Sequence, residues 1–244
     1  MFTPRIVRPT RTTLVPLTRY AVASAARIVI VAGVALAMTA CKGKKDGPTA
    51  PSGTPITSRG STVPAASAGY VEARTSQIVS NGALPSQVFD DFTFTAASTI
   101  RTASWQGIYC VQIAGSAAPA PTATSFRVSF YADSSGRPRL GTPLSSTTYT
   151  VAQSGQTFEK NQGNLTCGTA ANTNWSFYRY TATLSTPFAA AANTKYWFSV
   201  QALTPSYDVY FGWRDGIVDN SSSLQLFNGT YTAYPFDRAF ALTP

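Results

Sequence analysis

Cysteines and carboxylates are the side chains of this sequence that could support chemistry. The chain has three cysteines, ten aspartate and glutamate residues, and no histidine. The absence of histidine excludes a Ser-His-Asp hydrolase, a histidine-ligated zinc site and a cysteine activated by imidazole. An enzyme would then need two facing carboxylates, as glycosidases have. Asp90 and Asp91 are adjacent in a predicted strand and point to opposite faces, so we expect no catalytic residue.

Two short loops, 133–136 and 215–220, gather oxygen atoms that could bind calcium. Neither loop has the Asp-x-Asp-x-Asp-Gly spacing of a dedicated calcium site. Aspartate and asparagine also cap turns with their own side chains, and glycine supplies a positive φ angle. We therefore interpret both loops as turns, and we expect neither a metal nor a cofactor.

Strand alternation sorts the aromatic residues near the end of the chain into two faces. In the predicted strand 195–203, one face carries Tyr196, Phe198, Val200 and Ala202, and the other carries Trp197 and Gln201. In 175–186, Trp175 and Arg179 share the polar face. An aromatic ring with amide and guanidinium groups beside it suits a sugar-binding surface. If the two strands pair around 187–193, the predicted ligand contacts are Trp197, Arg179, Gln201 and Trp175. The alternative is that a loop or the linker covers Trp197, which would then be a structural residue.

The other two tryptophans, Trp105 and Trp213, share strand faces with apolar residues, so we predict that they are core residues.

Short alternating runs rich in Phe, Tyr, Val, Thr and Trp, separated by turn residues, predict an all-β domain over 84–244. The candidate strands are 88–94, 103–113, 125–132, 147–151, 175–186, 195–203, 209–213, 224–227 and 236–242. About nine strands suit an antiparallel sandwich of two sheets. A domain of this length buries about 70% of the surface that its unfolded chain exposes.

The N-terminal region resembles the export signal of bacterial lipoproteins. Residues 28–40 are uncharged, too short to span a bilayer, and follow five arginines without an acidic residue. Met38-Thr39-Ala40-Cys41 is similar to a lipobox, with Met in place of the usual Leu. The resemblance implies a signal peptide over 1–40 and a lipid-modified Cys41 that anchors the protein at the outer membrane or cell surface. The alternative is a plain secretory signal in which Cys41 is incidental.

Charge and composition separate a linker from the domain. Residues 41–83 are rich in Gly, Pro, Ser, Thr and Ala, which predicts a flexible linker, although 71–84 could contribute a first edge strand. The whole chain carries 19 basic and 10 acidic residues. Residues 77–244 carry nine basic and eight acidic residues, which gives this segment a net charge of +1. This near-neutral domain has no electrostatic basis for binding nucleic acid.

Two cysteines, Cys110 and Cys167, remain in the predicted domain. In an exported protein such a pair usually forms a disulfide, which we predict here, the alternative being two buried free thiols. The bond would tie a strand at 107–111 to a long polar loop at 161–174.

Several blocks resemble a jelly-roll-like sandwich domain that recurs in secreted and surface-anchored bacterial proteins. The blocks are FDDFTFTAASTIRTASWQGIY (89–109), FRVSFYADSSGRP (126–138), YRYTATLSTPFAAAANTKYWFSV (178–200), FGWRDG (211–216) and DRAFAL (237–242). The family has no settled activity, so the resemblance implies a fold and a location. Together with the aromatic face, it leads us to expect a non-enzymatic adhesion or recognition module that binds a glycan or another envelope component. The alternatives are a purely structural envelope module and, less favoured, a carboxylate-dependent glycosidase.

Overall fold

The computed structural model describes the backbone of residues 57–59 and all of residues 73–80, 82, 85–216 and 223–244. These residues form fourteen strands and no helix, and none of them belongs to a segment that could cross a membrane as a helix. The strands are β1 (Thr57–Arg59), β2 (Ala73–Thr75), β3 (Gln77–Val79), β4 (Ser86–Thr93), β5 (Ser98–Cys110), β6 (Ser125–Ala132), β7 (Ser145–Thr150), β8 (Thr157–Cys167), β9 (Ala170–Ala190), β10 (Lys195–Thr204), β11 (Tyr210–Arg214), β12 (Ser223–Phe227), β13 (Thr230–Tyr234) and β14 (Phe240–Thr243). The predicted all-β class is confirmed, with more strands than the nine predicted.

The strands form two sheets that pack face to face as a sandwich. In sheet I, β5 is central and pairs with β9 on one side and with β11 and β14 on the other; β8, β2 and β1 extend these three neighbours. Sheet II has the order β13-β12-β4-β3-β10-β6-β7, with an additional pairing of β4 and β10. All of these pairings are antiparallel except that of β3 with β10. The predicted two-sheet sandwich is therefore confirmed.

Aromatic rings fill the space between the sheets. Phe126 of sheet II lies 5.4 Å from Trp105, 4.5 Å from Tyr180 and 5.3 Å from Phe211, ring centre to ring centre, and these three rings belong to sheet I. Edge-to-face and tilted contacts of this kind stabilise aromatic pairs beyond the burial of their area. Trp105 is 1% exposed and Trp213 is fully buried, so both are core residues as predicted.

Two buried phenols link β5 to β9 within this core. The hydroxyl of Tyr180 donates a hydrogen bond to that of Tyr109 at 3.1 Å. Burial raises the pKa of both hydroxyls far above the ordinary value of about 10, so both remain neutral. Because the pKa is raised in the folded state, the pair stabilises the fold below about pH 10 and loses that contribution as the pH rises further.

The predicted pairing of 175–186 with 195–203 is wrong. These segments lie in β9 and β10, and β9 pairs with β5 and β8 in sheet I, whereas β10 pairs with β3, β4 and β6 in sheet II. The connection, which contains Asn193 in the left-handed region (φ 51°), therefore crosses from one sheet to the other. This crossing lets the apolar faces of both strands, represented by Tyr180 and Phe198, point into the same core.

Five strands lie outside the nine candidate strands. Strand β1 lies in the range predicted as a linker, whereas β2 and β3 occupy 73–79, within the segment 71–84 that could contribute a first edge strand. The side chains of Gln77 and Val79 are buried in the sandwich. Strand β8 occupies much of the predicted polar loop, because an edge strand facing solvent does not need apolar alternation. Strand β13 follows Asn228-Gly229, a dipeptide typical of tight hairpins, and both residues have positive φ.

Gly107 on β5 lies directly against the ring of Phe211 on the neighbouring strand β11. A Cβ atom on Gly107 would lie 2.2 Å from Cε2 of Phe211. We expect Gly107→Ala to lower the free energy of unfolding by about 1–3 kcal/mol, because the methyl group overpacks this contact. Urea denaturation measures the change. Phe211→Leu, which destabilises the parent protein, should cost less in the alanine background, and strictly additive losses would contradict the contact.

Candidate functional site

Trp197 lies on the outer face of sheet II but is not exposed to solvent. It is 1% exposed and packs in a cluster with Phe89, Tyr131 and Leu224. Its indole nitrogen donates a hydrogen bond to Oδ1 of Asp133 at 2.8 Å. The predicted face is correct and the predicted exposure is wrong, because neighbouring side chains pack around the ring and the Lys195 ammonium lies 4.8 Å from its centre. The alternative interpretation, in which Trp197 is a structural residue, describes it.

Gln201 is also engaged within sheet II. Its side chain is 3% exposed, and its amide nitrogen donates a hydrogen bond to the carbonyl oxygen of Ser86 at 2.8 Å. Since Arg179 is in sheet I, the predicted proximity of Arg179 and Gln201 is wrong. Two of the four predicted ligand contacts therefore stabilise sheet II, and the other two lie on sheet I.

Trp175 and Arg179 share the outer face of sheet I, as their spacing predicts. Trp175 belongs to an apolar cluster on this face, the outer cluster, made of Ile108, Cys110, Leu165, Cys167, Trp175 and Phe177. The indole nitrogen of Trp175 donates to Oγ1 of Thr173 at 3.1 Å, which holds the ring against the sheet. The predicted disulfide is confirmed within this cluster, where Cys110 and Cys167 join the ends of β5 and β8 with a Cα–Cα distance of 6.0 Å.

A cavity of about 390 Å³ opens beside the outer cluster. Its apolar wall consists of Ile108, Leu165, Trp175 and the disulfide between Cys110 and Cys167. Its polar wall includes Thr75, Gln112, Asn164, Thr166 and Gln225, and the rings of Tyr210 and Tyr234 complete it. Small-molecule sites commonly combine an apolar wall with a few polar groups in this way. We name it the sheet I cavity.

Three contacts shape the polar side of the sheet I cavity. The guanidinium of Arg74 lies 4.1 Å from the ring centre of Tyr234, a cation–π distance. The hydroxyl of Tyr234 donates to Oε1 of Gln225 at 2.9 Å, which fixes the ring at the rim. The amide of Gln112 lies over Gly168, where a Cβ atom would come within 2.3 Å of its nitrogen. Glycine at this position therefore leaves room for the amide beside the disulfide.

A charged group, which we name the arginine cluster, lies further along the same outer face. Glu159 on β8 accepts from Arg179 at 2.9 Å and from Gln106 at 3.2 Å, and its other oxygen lies 3.8 Å from Arg214. Arg214 also donates to Oε1 of Gln106 at 3.2 Å. Burial lowers the pKa of Arg214, and the nearby Arg179 acts in the same direction, while Glu159 opposes the shift. One carboxylate is thus shared by two guanidinium groups.

The aspartates of sheet II have structural partners. Asp90 lies opposite Phe198 and accepts from the backbone nitrogen of Arg238 at 2.6 Å. Asp91 lies opposite Trp197 and forms an ion pair with Lys195 at 3.1 Å. The two adjacent carboxylates therefore lie on opposite faces, as strand alternation predicts. Within the described part of the chain, no three His, Cys, Asp or Glu side chains are grouped to hold a metal ion.

Asp133 forms the turn that the sequence indicates. Its Oδ2 accepts from the backbone nitrogen of Gly136 at 3.1 Å, and its Oδ1 accepts from Trp197. The second loop, 215–220, extends beyond the described residues at position 217, and Cys41 also lies outside them.

Sequence reasoning missed most residues of the sheet I cavity. Tyr210, Gln112 and Asn164 come from three separate parts of the chain and meet only through the pairing of β11, β5, β9 and β8. The one available signal was the predicted disulfide, since it brings the end of β5 to the end of β8. The polar residues next to Cys110 and Cys167 could have been assigned to one surface on that basis.

Comparison with known families gives one match, which spans residues 61–230 and therefore most of the chain. The matching family is described as a domain of unknown function, DUF7901. The chain belongs to the DUF7901 family. The DUF7901 match includes the disulfide, the arginine cluster and every residue named above for the sheet I cavity except Tyr234. No curated protein and no solved structure matches the chain.

The disulfide closes a long loop, since the two cysteines are 57 positions apart in the sequence. We expect a Cys110→Ala/Cys167→Ala variant to lose about 4 kcal/mol of unfolding free energy, because the unfolded chain regains the entropy of that loop. Guanidinium denaturation measures this loss. Dithiothreitol should lower the stability of the parent protein and leave the variant unchanged, and an unchanged parent would contradict a stabilising disulfide.

Proposed function

We propose that this DUF7901 domain is a non-enzymatic recognition module that binds a saccharide of the cell envelope in the sheet I cavity. The observation that carries the proposal is the composition of that cavity. Trp175, which is 5% exposed, lines the cavity with Tyr210, Tyr234 and several amide and hydroxyl groups. Sugars present apolar C–H faces together with hydroxyl groups, and they need both kinds of partner.

The chemistry of the lining residues favours binding over hydrolysis. Glycosidases place two carboxyl groups across the scissile bond. None of the described residues that line the sheet I cavity is acidic. A carboxylate-dependent mechanism therefore has no acid or nucleophile at this site, whereas recognition needs only the groups that are there.

We further propose that the module is held at the envelope by lipid on Cys41. The support is the short uncharged segment ahead of Cys41, its arginine-rich flank, and the small residues that precede the cysteine. Two acyl chains give stable membrane attachment where one gives marginal attachment. The linker that follows would hold the domain away from the membrane, where the outer face of sheet I is accessible to a ligand.

A structural envelope module without a ligand is the second candidate. The observation that favours it is that Trp197 and Gln201, which face outward, are both satisfied by contacts within the protein. The two functions differ in whether the sheet I cavity binds anything, which is measurable directly.

Tyr210→Ala tests the recognition function. The substitution removes ring surface from the cavity, and we expect it to weaken saccharide binding about tenfold, equivalent to about 1.4 kcal/mol. A glycan array identifies ligands of the parent domain, and calorimetry on the best ones gives the affinities. Tyr231→Ala is the matched control, because Tyr231 is also partly buried but packs on sheet II. Equal effects of the two substitutions would contradict binding in the cavity, and no array signal at all would favour the structural role.

Cys41→Ala tests the anchor. We expect the protein extracted from membranes of its own host to begin at Cys41 and to carry diacylglyceryl mass, and the variant to lack that mass and leave the membrane fraction. Intact mass spectrometry of both proteins measures this. An unmodified soluble parent protein would refute lipid anchoring and leave the recognition function to be tested on its own.

A further inference from the structure

The arginine cluster and the sheet I cavity lie on one continuous face. Trp175, Phe177 and Arg179 alternate along β9 with their side chains on the outer side of sheet I. At about 3.3 Å per residue, Arg179 lies about 13 Å along the strand from Trp175. Phe177, between them, lies 5.0 Å from Arg214 and 5.0 Å from Lys160, measured from its ring centre. A ligand longer than one sugar ring that leaves the cavity along β9 would therefore reach the arginine cluster.

The charges of this cluster do not balance. Lys160, Arg179 and Arg214 contribute three positive charges against the single carboxylate of Glu159. Asp215, the next residue after Arg214, acts on the pKa of Arg214 in the same direction as Glu159, but its carboxylate is itself paired with Arg238. Nη2 of the 2% exposed Arg214 has no hydrogen-bond partner among the described residues. The cluster thus keeps a local excess of positive charge on a domain whose net charge is close to zero.

Arg179 is the exposed guanidinium of the cluster, and its Nη2 and Nε donate to Oε1 of Glu159 at 2.9 Å and 3.1 Å, which leaves Nη1 for a ligand. Its side chain is 59% exposed, while that of Glu159 is 21% exposed and that of Arg214 is 2% exposed. A guanidinium group binds a carboxylate through two parallel hydrogen bonds, which selects for planar anions. The buried Arg214 adds a fixed positive field from beneath. The outer face of sheet I therefore combines a sugar-sized cavity with a carboxylate-binding group about 13 Å away along β9.

We propose that the ligand is an acidic oligosaccharide, with one sugar in the sheet I cavity and the carboxylate of a neighbouring uronic acid paired with Arg179. This inference rests on the proposed recognition function and deepens it by naming the ligand class. Glu159 sets the strength of the interaction, because it competes with the ligand carboxylate for the same guanidinium. The exposed position of Arg179 makes the interaction sensitive to salt.

The test compares uronate oligosaccharides with their own methyl esters. Esterification removes the negative charge and leaves the sugar rings and linkages unchanged. The probes are oligomers of galacturonate, glucuronate and mannuronate long enough to span about 13 Å, the distance estimated above from the strand rise, each in free and esterified form. Calorimetry on the full-length mature protein and on its variants gives the affinities at low and at physiological salt.

Three variants separate the roles of the charges. Arg179→Gln should weaken binding of the free uronate about fivefold, the upper range for an exposed ion pair, and leave the ester unchanged. Glu159→Gln should strengthen binding of the free uronate, because it removes the competing carboxylate. Damage to the fold would weaken binding of both forms, so a gain specific to the charged ligand cannot come from misfolding. Arg139→Gln is the matched control, since Arg139 is exposed on the loop after β6.

The outcomes distinguish this inference from the function on which it rests. Tighter binding of the free uronate, lost in Arg179→Gln and increased in Glu159→Gln, supports both. Equal affinity for the free and esterified forms, or equal effects of Arg179→Gln and Arg139→Gln, overturns the acidic ligand. If Tyr210→Ala still weakens binding in that case, the recognition function remains supported. Binding of no probe, together with no signal on the glycan array, overturns both.

Discussion

The contact of Phe126 with three rings of the opposite sheet is the interaction on which the rest of the structure depends. Trp105, Tyr180 and Phe211 come from three neighbouring strands of sheet I, and each meets Phe126 within 5.4 Å. Rings are large and rigid, so they fix the separation of the sheets and the register of the strands that carry them. Because β5, β9 and β11 point these residues inward, their alternate residues must point outward. The outer face that holds the cavity and the arginine cluster is a consequence of this inner packing.

Strand alternation allowed the sequence to predict which side of a strand each residue occupies, but not which strands are neighbours. Phe198 and Val200 are fully buried and Trp197 faces outward, as the two-residue period indicates. The short connection between β9 and β10 favours a hairpin, yet both strands carry an apolar face that needs the same core. A hairpin within one sheet and a crossing between two sheets would both bury these faces. The pairing of β9 with β5, and of β10 with β4 and β6, decides between them, and these partners are distant in sequence.

The candidate site was predictable only along a single strand. Trp175 and Arg179 share a face because they are four residues apart on one strand, and this part of the prediction is confirmed. The remaining walls of the cavity come from β2, β5, β8, β11 and the β12–β13 hairpin, and their meeting depends on long-range pairing that composition does not encode. The prediction that Trp197 is exposed was wrong for the same reason. The side chains that pack around it, Phe89, Tyr131 and Leu224, come from β4, β6 and β12, and its hydrogen-bond partner Asp133 lies more than sixty positions earlier in the chain.

The attachment of β1 determines how the domain would respond to tension. Three residue pairs join β1 to β14, whereas eight join β10 to β6. A pull on the chain ahead of Thr57 would load the three pairs of β1 before it reaches any strand that carries a core ring. Strand β1 would then detach while β14 remains held by its own pairing with β5. Detachment of this short strand would therefore leave the aromatic core and the outer face of sheet I in place.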